Sequence, residues 1–150
     1  VMDVISFGKK GVTHGGTYTA NMVALSAAKA TLTLLKDTDA YATINRTGAA
    51  LQALLSRVFT KHGVTHRFAG PDSMFGIHFG EIVPSNYRDW KQTDSELYTE
   101  FAMNLIKHGV MLEPDSREPW FICEAHQRVD LAWLERVADS ALGEAIAARG

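Results

Sequence analysis

The sequence contains one cysteine, Cys123, and four prolines in 150 residues. A single cysteine excludes an intrachain disulfide framework and is typical of proteins kept in a reducing cytoplasm. No apolar run approaches the ~20 residues that a membrane-spanning helix needs. The first residues also lack the basic and long apolar segments of a signal peptide. We therefore expect a cytoplasmic protein without a membrane partner.

Positively and negatively charged residues are nearly equal in number. The formal net charge is -2, with 21% charged and 46% hydrophobic residues. This balance is that of a soluble globular protein. It provides no basic surface for nucleic acid, so no nucleic-acid partner is expected.

Hydrophobic periodicity predicts four long helices and four short strands. The helices are expected over 18–35 and 40–62, after a capping box at 93–96, and after an N-cap at Asp130. The strands are expected over 65–69, 73–79, 110–112 and 120–123, and 81–90 is expected to be a loop. A mixed region over 63–150 can form a small domain. The first forty residues have nothing local to pack against, so we expect the chain to be the end of a longer protein.

The most specific local motif is His14-Gly15-Gly16-Thr17-Tyr18-Thr19, directly before the first predicted helix. Two glycines allow backbone N–H groups to converge, Thr17 adds a hydroxyl donor, and a helix N-terminus favours an anion. The motif therefore suits a phosphate. A glycine turn with a threonine cap explains the same residues. The spacing matches neither a Walker loop nor a dinucleotide fingerprint, and both interpretations stay open.

The six histidines do not predict a metal site. His62 and His66 are four residues apart, but Gly63 interrupts the helix that would align them, and no carboxylate follows at ligand spacing. Cys123 lies in an apolar segment and is expected in the core.

Arg117 and Glu118 lie in a turn after Pro114 and beside Trp120. A charged pair next to an aromatic residue can line a pocket. A solvated surface turn is the other interpretation of these residues.

The segment from His14 to Asn21, followed by an alanine-rich helix, resembles the class III aminotransferases. It is most similar to the branch that contains glutamate-1-semialdehyde aminomutase. The family signature reads small-Gly-Thr-aromatic-Ser/Thr-Gly/Ala-Asn-Pro. Met22 stands where proline is usual, and Ala20 where glycine is common.

A second match lies about a hundred residues further on. Gly109-Val110-Met111-Leu112-Glu113-Pro114 resembles the family's "GVYLAPS" strand and turn, and Ala125-His126 with Asp130 resembles its lead into the last helix. Glu118 falls where the aminomutases carry a glutamate facing the cofactor. Around it, Arg117-Glu118-Pro119-Trp120 replaces Phe-Glu-Ala-Gly.

The resemblance implies an α/β fold from the C-terminal part of a fold type I transferase. Residues 1–38 would end the large cofactor-binding domain, and 39–62 would form a long connecting helix. Residues 63–150 would form a small α+β domain with a short antiparallel sheet.

The resemblance also implies pyridoxal-phosphate chemistry, in which a Schiff base moves an amino group on an amino acid or amino-aldehyde. Gly16 and Thr17 would bind the phosphate of the cofactor held by the partner subunit of a homodimer, and Glu118 and Arg117 would face the substrate. An arginine there could pair with a substrate carboxylate.

The Schiff-base lysine of this family lies upstream of the glycine-threonine motif, and Lys9 and Lys10 are not at its position. The fragment alone is therefore expected to be inactive. The alternative is a non-catalytic α/β module that retains the small domain for interaction or regulation.

Overall fold

The computed structural model describes residues 15–150, so the predictions for Lys9, Lys10 and His14 lie outside the described residues. The chain divides into two compact units, Val1–Asp39 and Ala40–Gly150. The described part contains no helix long and apolar enough to cross a membrane.

The first unit contains helix α1, Met22–Asp37. The helix begins four residues later than predicted because residues 17–20 form a turn. The N–H of Thr19 donates to the carbonyl of Gly16 at 2.9 Å, and the N–H of Asn21 donates to the carbonyl of Tyr18 at 3.1 Å. Asn21 then caps α1 by accepting from the N–H of Ala24 at 2.9 Å. No residue of α1 is buried, although the helix is apolar around most of its circumference.

The second unit carries the other elements: α2 (Ala40–Lys61), β1 (His66–Ala69), β2 (Met74–Phe79), α3 (Tyr87–Trp90), α4 (Ser95–Lys107), β3 (Trp120–Phe121), a 3₁₀ helix (Glu124–Arg128) and α5 (Leu131–Ala147). The strands form an antiparallel sheet in the order β1-β2-β3. The predicted short antiparallel sheet is therefore confirmed.

Glycines end several elements where the sequence suggested they would. Gly63 after α2 has φ +70°, and Gly109 after α4 has φ +90°. Gly70, between β1 and β2, has φ +99°, and a Cβ there would lie 2.5 Å from the carbonyl oxygen of Met74. These left-handed conformations favour glycine over any residue with a side chain.

The core lies where α2, α4 and α5 pack with the sheet. Phe59 of α2 is fully buried, and its ring meets Phe79 of β2 and Phe101 of α4 edge-on, at centroid distances of 5.0 and 5.5 Å. The other members of the buried cluster are Leu51, Leu54, Leu55, Val58, Phe75, Ile77, Leu97, Tyr98, Ala102, Leu105, Leu134, Ala138, Ala141, Leu142 and Ala145. Aromatic edge-to-face pairs add to the hydrophobic gain of such a cluster.

Several local predictions are wrong. Residues 110–112 are not a strand, because their backbone pairs with no neighbouring strand in the described part of the chain. The N-cap of α4 is Asp94, which accepts from the N–H of Leu97, whereas the Thr93 hydroxyl donates to the carbonyl of Trp90. Cys123 is exposed, because the chain leaves the sheet after Phe121 and enters the 3₁₀ helix. The 81–90 segment contains the short helix α3.

Substitution of Gly48, in the middle of α2, tests the packing of the second unit. A Cβ on Gly48 would lie 1.8 Å from the carbonyl oxygen of Asp72. Gly48→Ala should therefore lower the free energy of unfolding by about 2 kcal/mol, although alanine is the better helix former. Urea denaturation followed by circular dichroism measures this change.

The matched control is Gly143→Ala in α5. Its Cβ would make an ordinary contact, 3.4 Å from Cε1 of His62. The better helix propensity of alanine should therefore dominate and raise the free energy of unfolding, by at most about 1 kcal/mol. Equal effects of the two substitutions on the free energy of unfolding would contradict the close approach of Asp72, between β1 and β2, to Gly48 of α2.

Candidate functional site

The turn before α1 presents unused hydrogen-bond donors. Gly16 and Thr17 are both exposed. The carbonyls of Gly16 and Tyr18 are taken up by the turn. In the described part of the chain, no hydrogen bond is made by the N–H groups of Gly16 and Thr17 or by the Thr17 hydroxyl. Such neighbouring donors suit a phosphate oxygen. The helix N-terminus lies one turn further along than predicted.

A loop over 113–120 carries the other two predicted site residues, and α4 holds its first half. The hydroxyl of Tyr98 donates to the carbonyl of Glu113 at 3.4 Å, and that of Thr99 donates to the carbonyl of Pro114 at 3.1 Å. The indole N–H of Trp120 donates to the Tyr98 hydroxyl at 3.0 Å. Tyr98 is fully buried, so both ends of the loop depend on one rigid side chain.

Helix α3 holds the middle of the loop. The indole N–H of Trp90 donates at 2.8 Å to the hydroxyl of Ser116, which is buried. The guanidinium of Arg117 lies over the Trp90 ring, 5.0 Å from its centroid. Cation–π stacking of this kind favours arginine.

The Arg117 guanidinium is already paired. Its Nε lies 3.0 Å from each carboxylate oxygen of Asp115, and its NH2 group donates to Oδ2 of Asp115. Hydrogen bonds from Arg117 lower the pKa of Asp115, and the same contact raises the pKa of Arg117. Asp115 therefore occupies the Nε–Nη2 edge of the Arg117 guanidinium.

Arg117 and Glu118 are adjacent in sequence but line different cavities. Glu118 lines a cavity of about 680 Å³, whereas Arg117 lines one of about 450 Å³ with Trp90 and α4 residues. Asp115 borders both cavities. Each of the two residues is exposed, and each borders a cavity.

The larger cavity was not predicted from the sequence. Its wall is mostly apolar, with Leu51, Val110, Met111, Leu112, Trp120, Phe121, Ile122, Val129, Trp133 and Leu134. Its polar lining residues include Glu113, Glu118 and His126. Its volume falls in the range of small-molecule sites. The only available signal was the apolar run at 110–112, which lines this wall instead of forming a strand.

Three of the histidines each contact a separate partner. His62 Nε2 lies 2.8 Å from Oδ1 of Asp139, and His66 Nε2 lies 2.8 Å from the Ser56 hydroxyl. His108 Nε2 lies 2.9 Å from Oε1 of Glu144. Within residues 15–150, no group of three or more histidine, cysteine, aspartate or glutamate side chains is arranged to hold a metal ion.

Comparison with known proteins identifies the family to which the sequence is similar. Residues 1–129 match the family model described as aminotransferase class-III. The glutamate-1-semialdehyde 2,1-aminomutase of Methanosarcina acetivorans is 33% identical over 120 residues, which is 80% of this chain and 28% of that protein. The enzyme of the same name from Campylobacter hominis is 28% identical over 146 residues, 96% of this chain and 32% of that protein.

The fold agrees with these matches. The crystal structure of a β-phenylalanine aminotransferase from Variovorax paradoxus superimposes with a TM-score of 0.75 at 22% identity, covering 97% of this chain and 34% of that one. The predicted fold, the end of a fold type I transferase with a small α+β domain, is confirmed. The chain spans about three tenths of the length of the curated relatives it matches.

The Tyr98 hydroxyl predicts an alkaline limit to stability. Burial raises the pKa of Tyr98 to about 12, from an ordinary value of 10.0. Between these values the unfolded chain loses a proton that the folded chain keeps. The free energy of unfolding should therefore fall as pH rises from 10 to 12, by up to about 1.4 kcal/mol per pH unit.

Tyr98→Phe should remove this slope, and urea denaturation at pH 9, 10 and 11 measures it. At neutral pH the free energy of unfolding of the same variant should be lower by about 1 to 2 kcal/mol, because the indole N–H of Trp120 loses its hydrogen-bond acceptor. Tyr87→Phe, at an exposed tyrosine of α3, is the control and should keep the slope. Parallel pH profiles for wild type and Tyr98→Phe would show that the Tyr98 hydroxyl is not buried as described.

Proposed function

The chain belongs to the class III aminotransferases, and we propose that it supplies the phosphate-binding turn and the small domain of a pyridoxal-phosphate-dependent aminotransferase or aminomutase. The enzyme would move an amino group on an amino acid or amino-aldehyde substrate. The observation that carries this proposal is the turn at Gly16 and Thr17, which lies within the family match and has free donors.

The residues of the turn fit a phosphate. The N–H groups of Gly16 and Thr17 and the Thr17 hydroxyl are exposed donors on consecutive residues. A Cβ at Gly16 would approach Oγ1 of Thr19 to 3.2 Å, so glycine keeps the turn uncrowded. Bound pyridoxal phosphate supplies an electron sink for chemistry at the amino-bearing carbon. The turn would bind the phosphate and thereby orient the cofactor.

We further propose that the enzyme is a cytoplasmic homodimer in which Gly16 and Thr17 bind the cofactor of the partner subunit. In this proposal residues 1–38 end the large domain, 39–62 connect the domains, and 63–150 form the small domain. The family match over residues 1–129 supports placing these residues in such an enzyme.

Glu118 and Arg117 would face the substrate in different ways. Glu118 borders the larger cavity and can accept hydrogen bonds from an amino group there. Arg117 would have to exchange Asp115 for a substrate carboxylate, because Asp115 holds its guanidinium in this structure. We therefore place Glu118 nearer to the substrate than Arg117.

Thr17→Ala tests the phosphate assignment in the complete enzyme. Loss of one hydroxyl donor to a charged phosphate should raise the cofactor dissociation constant about tenfold. Equilibrium dialysis with pyridoxal phosphate measures this constant. Thr31→Ala is the control, because the Thr31 hydroxyl is on α1 and donates to the carbonyl of Ala27. An unchanged affinity in Thr17→Ala would remove the assignment.

A second experiment locates the lysine. The 150-residue chain is mixed with pyridoxal phosphate, reduced with borohydride and mapped by peptide mass spectrometry. We expect scattered substoichiometric labelling and no amino transfer by this chain, because the family lysine precedes the Gly16-Thr17 motif. Stoichiometric labelling of one internal lysine would contradict this. If the complete protein also fails to bind the cofactor, the alternative of a non-catalytic interaction or regulatory module is favoured.

A further inference from the structure

A serine and a histidine meet where α2 passes β1. Oγ of Ser56, on α2, lies 2.8 Å from Nε2 of His66, the first residue of β1. Nδ1 of the same ring lies 3.0 Å from the carbonyl oxygen of Val64. A carbonyl oxygen can only accept a hydrogen bond, so Nδ1 carries a proton and donates it. Nε2 of the neutral ring is therefore an acceptor, and the Ser56 hydroxyl donates to it.

The Ser56 hydroxyl does not bond to its own helix. Hydroxyl side chains inside helices often donate to the carbonyl four residues earlier, as Thr31 of α1 does to Ala27 at 3.0 Å. Among the described residues, the Ser56 hydroxyl makes no such bond to Gln52 and contacts the imidazole instead. A hydroxyl that donates to a carbonyl has no base to take its proton, whereas one that donates to Nε2 has one.

Aromatic rings hold the imidazole in this orientation. The His66 ring meets Phe59 and Phe68 edge-on, at centroid distances of 5.1 and 5.5 Å. Phe59 is fully buried, so the imidazole rests on the core of the second unit. The Val64 carbonyl fixes the tautomer and the two rings fix the plane, and Nε2 is thus aimed at Ser56 before any ligand binds. A serine, a base and a group that orients the base are the parts of an activated nucleophile.

The pair is partly exposed and has no ionic partner. Ser56 and His66 are each intermediate between buried and exposed. The next residue in each case, Arg57 or Arg67, is paired with a glutamate. No carboxylate contacts His66 in the described part of the chain, and neither member of the pair borders the two cavities of the 113–120 loop. The pair therefore presents a neutral nucleophile, which suits an uncharged reactant.

We propose that Ser56 accepts an acyl group from small, uncharged, activated esters, with His66 as the base. The Ser56 proton passes to Nε2 of His66 as Oγ forms a bond to the carbonyl carbon of the ester. The bond between that carbon and the leaving oxygen then breaks, and the leaving alcohol takes the proton from His66. The product is an ester of Ser56. This reaction needs no pyridoxal phosphate and goes beyond the proposed function.

The test treats the 150-residue chain with 4-nitrophenyl acetate at neutral pH and follows acetylation of each serine by peptide mass spectrometry. Ser140, an exposed serine of α5, is the internal reference. Ser56 should be acetylated about a hundredfold faster than Ser140 although it is less exposed, because assistance by a general base contributes about this factor. Peptide mapping also separates acetylated serines from acetylated lysines.

Two variants assign the reactivity to the histidine. His66→Phe keeps a ring beside Phe59 but removes the base, so the rate of Ser56 acetylation should fall about a hundredfold. His108→Phe is the matched control, because His108 is exposed and contacts Glu144. It should leave the rate at Ser56 unchanged.

Equal acetylation rates at Ser56 and Ser140, or a rate at Ser56 that His66→Phe leaves unchanged, would overturn the inference. The first comparison is made within the unaltered chain and does not depend on the folding of a variant. Neither reaction includes pyridoxal phosphate, so neither result bears on the turn at Gly16 and Thr17. Failure of the proposed function would instead appear as unchanged cofactor affinity in Thr17→Ala.

Discussion

The packing of Phe59 is the constraint on which the rest of the second unit depends. Its ring joins α2 to β2 through Phe79 and to α4 through Phe101, with centroid distances of 5.0 and 5.5 Å. Once α4 is fixed, Tyr98 and Thr99 are fixed with it, and these two side chains hold the backbone of the 113–120 loop. The position of the 113–120 loop is thus set by the buried face of α4, on which both Tyr98 and Phe101 pack against Phe79. A buried aromatic cluster transmits position because it has few alternative packings.

The features that the sequence predicted well are those with a local cause. Gly63, Gly70 and Gly109 adopt positive φ at the ends of elements, which only the absence of a side chain makes easy. Asp130 accepts from two N–H groups at the start of α5, as an N-cap does. The turn before α1 also has a local cause, because its two hydrogen bonds join residues three apart in the sequence; that it binds a phosphate is our proposal. Such features need no knowledge of the tertiary fold.

The failures at residues 110–112 and around Arg117 concern contacts between residues far apart in the sequence. Residues 110–112 are apolar because they line a cavity with α2 and α5, and a short apolar run looks the same in a strand. Trp90 and Ser116 are 26 residues apart, and the sequence does not indicate that they form a hydrogen bond. It therefore does not indicate that Arg117 stacks on Trp90 and turns away from Glu118. No pattern in the 81–90 segment predicts that the α3 tryptophan stacks with this arginine.

The two departures from the family signature leave the donors of the turn intact. Ala20 has φ +60°, a conformation that costs an L-residue about 1 kcal/mol and that glycine adopts freely. Met22 begins α1, where an N–H has no helical partner whether or not the residue is proline. The Asn21 cap and the two turn hydrogen bonds hold the backbone here, where the family signature has glycine and proline. Neither departure removes a donor of Gly16 or Thr17, so the turn keeps the donors on which the proposed phosphate contact depends, despite a less favourable sequence.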